Sequence, residues 1–161
     1  MSWPISVWPA LVLATLAAGP GPAPPSKSAS TAAPTAVVTL KGTPVLLTEA
    51  LKGSGLTFDA GPVADQVVIK GEDGGITPLL CDDASRALFT DKRLRGRRAE
   101  LRGKRVAGLP YFQVVGFRVE EEGKLRTPEY YCEICSIGVR YPQACPCCQA
   151  EMMLRMKPER E

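Results

Sequence analysis

Five of the chain's six cysteines fall between residues 132 and 148, in the run YCEICSIGVRYPQACPCCQ. Cys132 and Cys135 make one C-x2-C pair and Cys145 and Cys148 a second, with nine residues between them. A turn of that spacing aims two sulfurs at one point, and two such turns facing each other present the four tetrahedral thiolates that zinc accepts. Few other features constrain the fold as tightly, because the tail must bring two separated turns together around a metal or join them covalently. Cys147 is an extra thiol inside the second turn, able to replace Cys145 or Cys148 as ligand. Disulfides are the second outcome, and six cysteines allow about fifteen pairings. A redox pair is the third, but it needs a thiolate stabilised at a helix N-terminus. Cys132 instead follows the β-prone Glu129, Tyr130 and Tyr131.

The chain of 161 residues contains no histidine. That removes zinc proteases of the HExxH kind, Ser-His-Asp and Cys-His hydrolases, covalent haem through CxxCH, and facial-triad iron sites. Asp59, Asp65, Asp82 and Asp83 have no partner suggested by spacing and read as turn and cap residues. No catalytic residue is expected, and the protein reads as a non-enzymatic binding or structural molecule. Cys81 stands alone and reads as a small buried apolar residue.

Residues 1–19 read as a signal peptide or N-terminal anchor: Val7 to Ala18 (VWPALVLATLAA) is an uncharged apolar stretch, too short to span a bilayer. The Pro/Ala/Ser-rich segment 20–35 lacks bulky apolar side chains and is expected to be a disordered linker. The protein is therefore expected to be exported, to a periplasm, a cell envelope or the medium. Its partner would be an unidentified protein or envelope component, and a membrane is expected only through an uncleaved leader.

From residue 36 to 128 the signals are for strands. Val37, Val38 and Leu40 form a run ended by Gly42 and Pro44, and Val63 to Lys70 and Ile76 to Cys81 form two more. Asp82, Asp83 and Ser85 supply cap chemistry for a short helix through Ala84, Arg86, Ala87, Leu88 and Phe89. Thr48 to Leu51 offers a helical turn. Ala99, Leu101 and Gly103 alternate with Glu100, Arg102 and Lys104, Tyr111 to Glu120 continues as a long strand, and a return strand covers Lys124 to Tyr131. The fold class is mainly β with one or two short helices. Three strands, a helix and two strands follow the element order of the OB fold. The phrase Leu101, Arg102, Gly103, Lys104 followed by Leu109, Pro110, Tyr111, Phe112, Gln113, Val114 resembles the fourth and fifth strands of small exported bacterial proteins with OB-like barrels, which implies an OB-like antiparallel barrel here.

Residues 129–161 form the cysteine-rich tail. The paired C-x2-C turns, the second reading Cys-Pro-x-Cys, resemble the short zinc-ribbon family over residues 130 to 150. That resemblance implies zinc as cofactor, Cys132, Cys135, Cys145 and Cys148 as ligands, and a hairpin carrying Ile137, Val139 and Tyr141, with Pro142 near its turn. Ser136 and Gln149 stand where the family places a glycine after each knuckle. Arg140 and Arg155 are the cations available to balance a four-thiolate site, and Met152, Met153, Leu154 and Met156 read as the apolar side of a short C-terminal helix.

The net charge is only +3, yet Lys92, Arg93, Arg95, Arg97, Arg98, Arg102, Lys104 and Arg105 put eight cations into fourteen residues. On an alternating strand, Arg98, Glu100, Arg102 and Lys104 share one solvated face, which accounts for the cluster without any ligand. Two functional alternatives stand beside the structural zinc reading. One is an envelope thiol-redox or metal-handling protein. The other is a single-stranded nucleic-acid or anionic-polymer binder through residues 92–105, with Tyr111 and Phe112 as stacking platforms; export makes nucleic acid the less favoured partner.

Overall fold

Strand β1 (Val38–Leu46) serves two partners in turn, and that sets the geometry of the larger sheet. Its first half pairs antiparallel with β4 (Ala99–Arg105) and its second half with β2 (Val67–Gly71); Gly42 sits at the changeover, opposite both Ala99 and Gly71. A Cβ at Gly42 would lie 2.3 Å from the Lys70 carbonyl oxygen, so only glycine allows this close crossing. The strand thus runs through Gly42 and Pro44 rather than ending there. Pro44 is tolerated because it lies beyond the last residue paired with β4, where no ladder donor is required on that side.

The computed structural model describes residues 36–157, so the expected leader (1–19) and linker (20–35) lie outside the described residues. The described residues belong to one compact unit. Its larger sheet has the order β3-β2-β1-β4-β5-β6, where β3 is Ile76–Pro78, β5 is Phe112–Glu121 and β6 is Lys124–Arg126. The expected OB-like barrel is overturned by this order, because the sheet stays open with β3 and β6 at its edges. Closure would need a continuous ladder between β3 and β5. The chain offers only an isolated parallel bridge from Leu79 to Phe112 and one hydrogen bond, Leu80 N to Phe112 O, 2.9 Å. The physical reason is local: β3 ends after three residues at Pro78, and the chain then turns toward a helix. The Asp82 carboxylate accepts from the amides of Ala84 and Ser85, and the buried Ser85 hydroxyl donates to Leu80 O. Helix α2 (Arg86–Thr90) follows and buries Ala87 and Leu88. The helical turn expected near Thr48 is α1 (Leu47–Ala50).

Alternation on β4 follows the sequence pattern: Ala99, Leu101 and Gly103 face in, while Arg102 and Lys104 face solvent. Opposite it, β5 inserts one extra residue at Val115, which leaves that side chain 54% exposed. The expected return strand divides at Thr127. Residues before it extend the large sheet as β6, and residues after it open a second sheet of three strands, β8-β7-β9, with β7 (Pro128–Cys132) between β8 (Ile137–Val139) and β9 (Met153–Met156). The expected C-terminal helix is therefore a strand. Met153 and Arg155 point outward while Leu154 and Met156 pack on the core, a period of two set by pairing with β7.

One core joins the sheets. Val67, Ile69, Leu79, Leu88, Leu94, Leu101, Phe112, Val114 and Val119 from the larger part meet Tyr130, Cys132, Cys145 and Met152 from the smaller. Two of the cysteines are thus core residues as well as candidate ligands. Among the described residues no helix is long and apolar enough to cross a membrane.

Candidate metal centre

The first knuckle is the turn that carries β7 into β8. Cys132 ends β7, Cys135 lies in the turn, and Ile137 already pairs back with Cys132. The second knuckle is closed by its own ends, with Cys145 N donating to Ala150 O, Gln149 N to Cys145 O, and a bridge from Ala144 to Glu151. Both turns need a left-handed residue just after the second cysteine. Ser136 (φ 55°) and Gln149 (φ 60°) adopt it despite their side chains, so the knuckle geometry is kept without glycine at a modest conformational cost.

The Sγ atoms of Cys132, Cys135, Cys145 and Cys148 all lie within 4.8 Å of one another, and Cys132 and Cys148 are 3.5 Å apart. Thiolates about 2.3 Å from a tetrahedral zinc would sit about 3.8 Å from each other. The four sulfurs therefore fit one metal ion with only small adjustments. Cys132 and Cys145 are 2% and 0% exposed, Cys135 is half-buried, and Cys147 and Cys148 are exposed. The cluster is buried on one side and open on the other.

The proton affinities of these thiols reflect who donates to whom. Backbone amides of Cys148 and Cys147 aim at the Cys145 sulfur and bring that thiol down to about 7, against the opposing effect of burial. At Cys132 the Cys135 amide acts in the same sense but is outweighed by burial and by the neighbouring thiols of Cys148 and Cys145, so this group is pushed up. Contact with the Cys147 and then the Cys148 side chain pushes Cys135 far up. A divalent ion would supply the positive charge that a set of four thiolates requires.

The two arginines expected to balance the site are engaged or placed elsewhere. Arg155 stacks 3.2 Å from the centroid of the Tyr131 ring and pairs with Glu129 at 2.9 Å. Arg140 lines a cavity of about 280 Å³ beside Val115, Phe117 and Val139. Glu129 is 8% exposed and also takes Lys157 at 3.4 Å. Its carboxylate occupies the space where a side chain at Gly138 would be, since a Cβ there would fall 2.7 Å from Oε2.

A buried polar link not foreseen from the sequence ties this sheet to the segment that follows helix α2. The Tyr130 hydroxyl, two residues before the first ligand candidate, donates to Asp91 Oδ2 at 2.7 Å. Arg93 holds the same carboxylate through its Nε and guanidinium at 2.6–3.0 Å. Burial works to raise the Asp91 carboxyl, but the bonds from Arg93 and Tyr130 outweigh it and hold the group at about 2. The same contact raises the Tyr130 phenol well beyond its usual range, after the larger effect of burial. The sequence signal was thin: an Asp beside basic residues reads as an ordinary surface pair.

The basic segment is not one free patch. Arg93 serves Asp91, Arg95 donates to the Leu88 and Phe89 carbonyls at the end of α2, and Arg98 pairs with Glu72 and lies 4.0 Å from Glu120. Arg97, Arg102, Lys104 and Arg105 have no ion pair among the described residues, and Arg102 and Lys104 lie on the solvated face of β4. Phe112 is fully buried and cannot serve as a stacking platform. Cys81 is exposed rather than buried.

Comparison of the chain with protein-family models, with curated proteins and with solved structures finds no match.

Proposed function

We propose that residues 128–157 are a structural zinc module in an exported, non-enzymatic binding protein. The observation that carries this reading is the gathering of Cys132, Cys135, Cys145 and Cys148 within 4.8 Å from two amide-lined turns. Four sulfurs fill a tetrahedral shell and leave no position for a reacting water, which favours a structural role over a catalytic one. Cys132 and Cys145 belong to the core, so a bound ion would fix the small sheet against the large one. Export is supported by the apolar stretch Val7 to Ala18 and the Pro/Gly run after it. The partner surface is unassigned; an envelope component fits an exported binding protein.

The test is elemental analysis with free-thiol counting on protein recovered from its native compartment, using a C-terminal tag so that the mature mass is read in the same sample. One zinc per chain and a mass short of the leader are expected. A metal-free, fully folded chain with these four cysteines in disulfides overturns the metal assignment, and an intact Met1 in a soluble cytosolic product overturns export.

A further inference from the structure

Where the chain leaves the large sheet for the small one, it borders a cavity of about 280 Å³. One border is β5 at Val115 to Phe117, and another is β8 with Arg140 just past its end. Both are strand edges left uncovered among the described residues: β6 pairs with β5 only from Val119 to Glu121, and β8 is the outer strand of its sheet. The crossing segment Thr127 to Glu129 completes the lining, and Lys157 N holds it by donating to Thr127 O at 2.8 Å.

The chemistry of this lining is divided. Val115, Phe117, Pro128 and Val139 are apolar. Val115 is the extra residue of the β5 bulge, so the irregularity aims an apolar side chain at the cavity instead of the core. Glu129 is the one acid in the lining, and its carboxylate is already taken by Arg155 at 2.9 Å and Lys157 at 3.4 Å. Arg140 makes no ion pair among the described residues, so the cavity keeps an uncompensated guanidinium beside an apolar wall.

We propose that this cavity binds a small monocarboxylate with an unbranched hydrocarbon body, the carboxylate on Arg140 and the hydrocarbon against Val115, Phe117 and Val139. The walls contain no cysteine, so the inference goes beyond the zinc reading and does not rest on it. A planar carboxylate can take two parallel bonds from one guanidinium. A doubly charged phosphate monoester would bring a second negative charge beside Glu129 with no further free cation in the lining to meet it. An apolar amine would be repelled by Arg140. The volume lies just under the range of about 300–1,000 Å³ that holds drug-sized ligands, which suits one short acid.

The full chain is titrated with sodium octanoate and, separately, with the uncharged octanamide by calorimetry, and backbone amide shifts are followed by NMR. Saturable octanoate binding is expected, with shifts at Val115, Gly116, Thr127, Gly138 and Arg140, and octanamide is expected to bind about tenfold more weakly. Arg140→Gln should lose about the same factor for octanoate and nothing for octanamide. Val115→Asp places a negative charge on the wall at a solvent-exposed position and should abolish octanoate binding; if that variant does not fold, Arg140→Gln decides alone. Arg102→Gln, on the solvated face of β4, should bind octanoate as the wild-type chain does. The proposal is overturned by a folded wild-type chain that does not bind octanoate, by equal affinity for octanamide, or by unchanged affinity in Arg140→Gln or in folded Val115→Asp. Equal weakening in Arg102→Gln, or shifts gathered away from the cavity, overturns it as well.

Discussion

The two sheets solve the problem of burial with different materials. The six-stranded sheet encloses Leu101, Phe112, Val114, Val119 and the helix residues Ala87 and Leu88, all nearly inaccessible to solvent. The three-stranded sheet and its turns contribute one large fully buried side chain, Tyr130, beside the buried Cys132, Cys145 and Met152, and add only half-buried apolar residues such as Ile137, Val139, Leu154 and Met156. Two of its strands have three and four residues, short for a sheet that must hold itself together. On the zinc reading, the contrast separates a region held by apolar transfer from one whose order would depend on what its sulfurs bind.

The largest effect that tests this contrast is metal removal. Structural zinc contributes on the order of 10 kcal/mol to small thiolate domains at neutral pH. Chelation under reducing conditions is expected to abolish hydrogen-exchange protection in β7, β8 and β9 while β1, β2, β4 and β5 keep theirs. Equal loss in both sheets would show a single cooperative unit. Retention in both would show that the small sheet needs no ion.

The converse perturbation removes apolar mass from the large sheet. Phe112 is fully buried, and a Cβ at Gly103 would come within 2.6 Å of its ring. Phe112→Ala is expected to cost about 3–5 kcal/mol in chemical denaturation, with zinc stoichiometry unchanged below the transition. Loss of zinc binding in the folded variant would mean that the ligand turns depend on this core.

Between these extremes lies the polar link from Tyr130 to Asp91. Tyr130→Phe leaves a buried carboxylate with one donor fewer, and a cost of about 1–2 kcal/mol is expected. The acid response gives the sign. A carboxyl held at about 2 in the folded chain, against 3.8 ordinarily, contributes stability that is present above pH 3.8 and is lost as pH falls through about 2. In Tyr130→Phe the Asp91 carboxyl should titrate at higher pH, so carboxyl-resolved NMR should show an upward shift. An unchanged Asp91 titration would mean that Arg93 alone holds the group. The metal site should fail at higher pH than this link, because protons compete directly with zinc for the thiolates.

The sequence made some of this difference legible. Spacing marked Cys132 with Cys135 and Cys145 with Cys148 as two turns, because a C-x2-C turn is a local object, and the zinc-ribbon resemblance implied that the four sulfurs meet, as they do here. The alternation of Ala99 to Lys104 likewise set the faces of β4. What it could not supply depended on distant partners. An OB-like element order says nothing about whether β3 reaches β5 with a full ladder, and here Pro78 cuts it short. Met152 to Met156 is too brief for its period to distinguish helix from strand, and pairing with β7 decided the matter. Asp91 and Tyr130 are 39 residues apart in sequence, and their hydrogen bond is a product of tertiary packing between the end of α2 and β7.

The smallest test acts on the knuckles alone. Ser136 and Gln149 hold positive φ beside the candidate ligands, while Glu122 (φ 51°) does so in the β5–β6 turn of the other sheet. A left-handed conformation costs an L-residue about 1 kcal/mol, and replacement by glycine returns part of this while adding freedom to the unfolded chain. Ser136→Gly and Gln149→Gly are each expected to yield a net gain of about 0.5 kcal/mol. If the knuckles fold only around metal, that gain must appear as roughly twofold tighter zinc binding in chelator competition. Glu122→Gly relieves the same strain where no metal is involved, so it should raise thermal stability slightly and leave zinc affinity alone. Tighter binding in all three variants would mean that the two sheets share one folding equilibrium; no change in Ser136→Gly or Gln149→Gly would mean that both turns are already formed before the ion arrives.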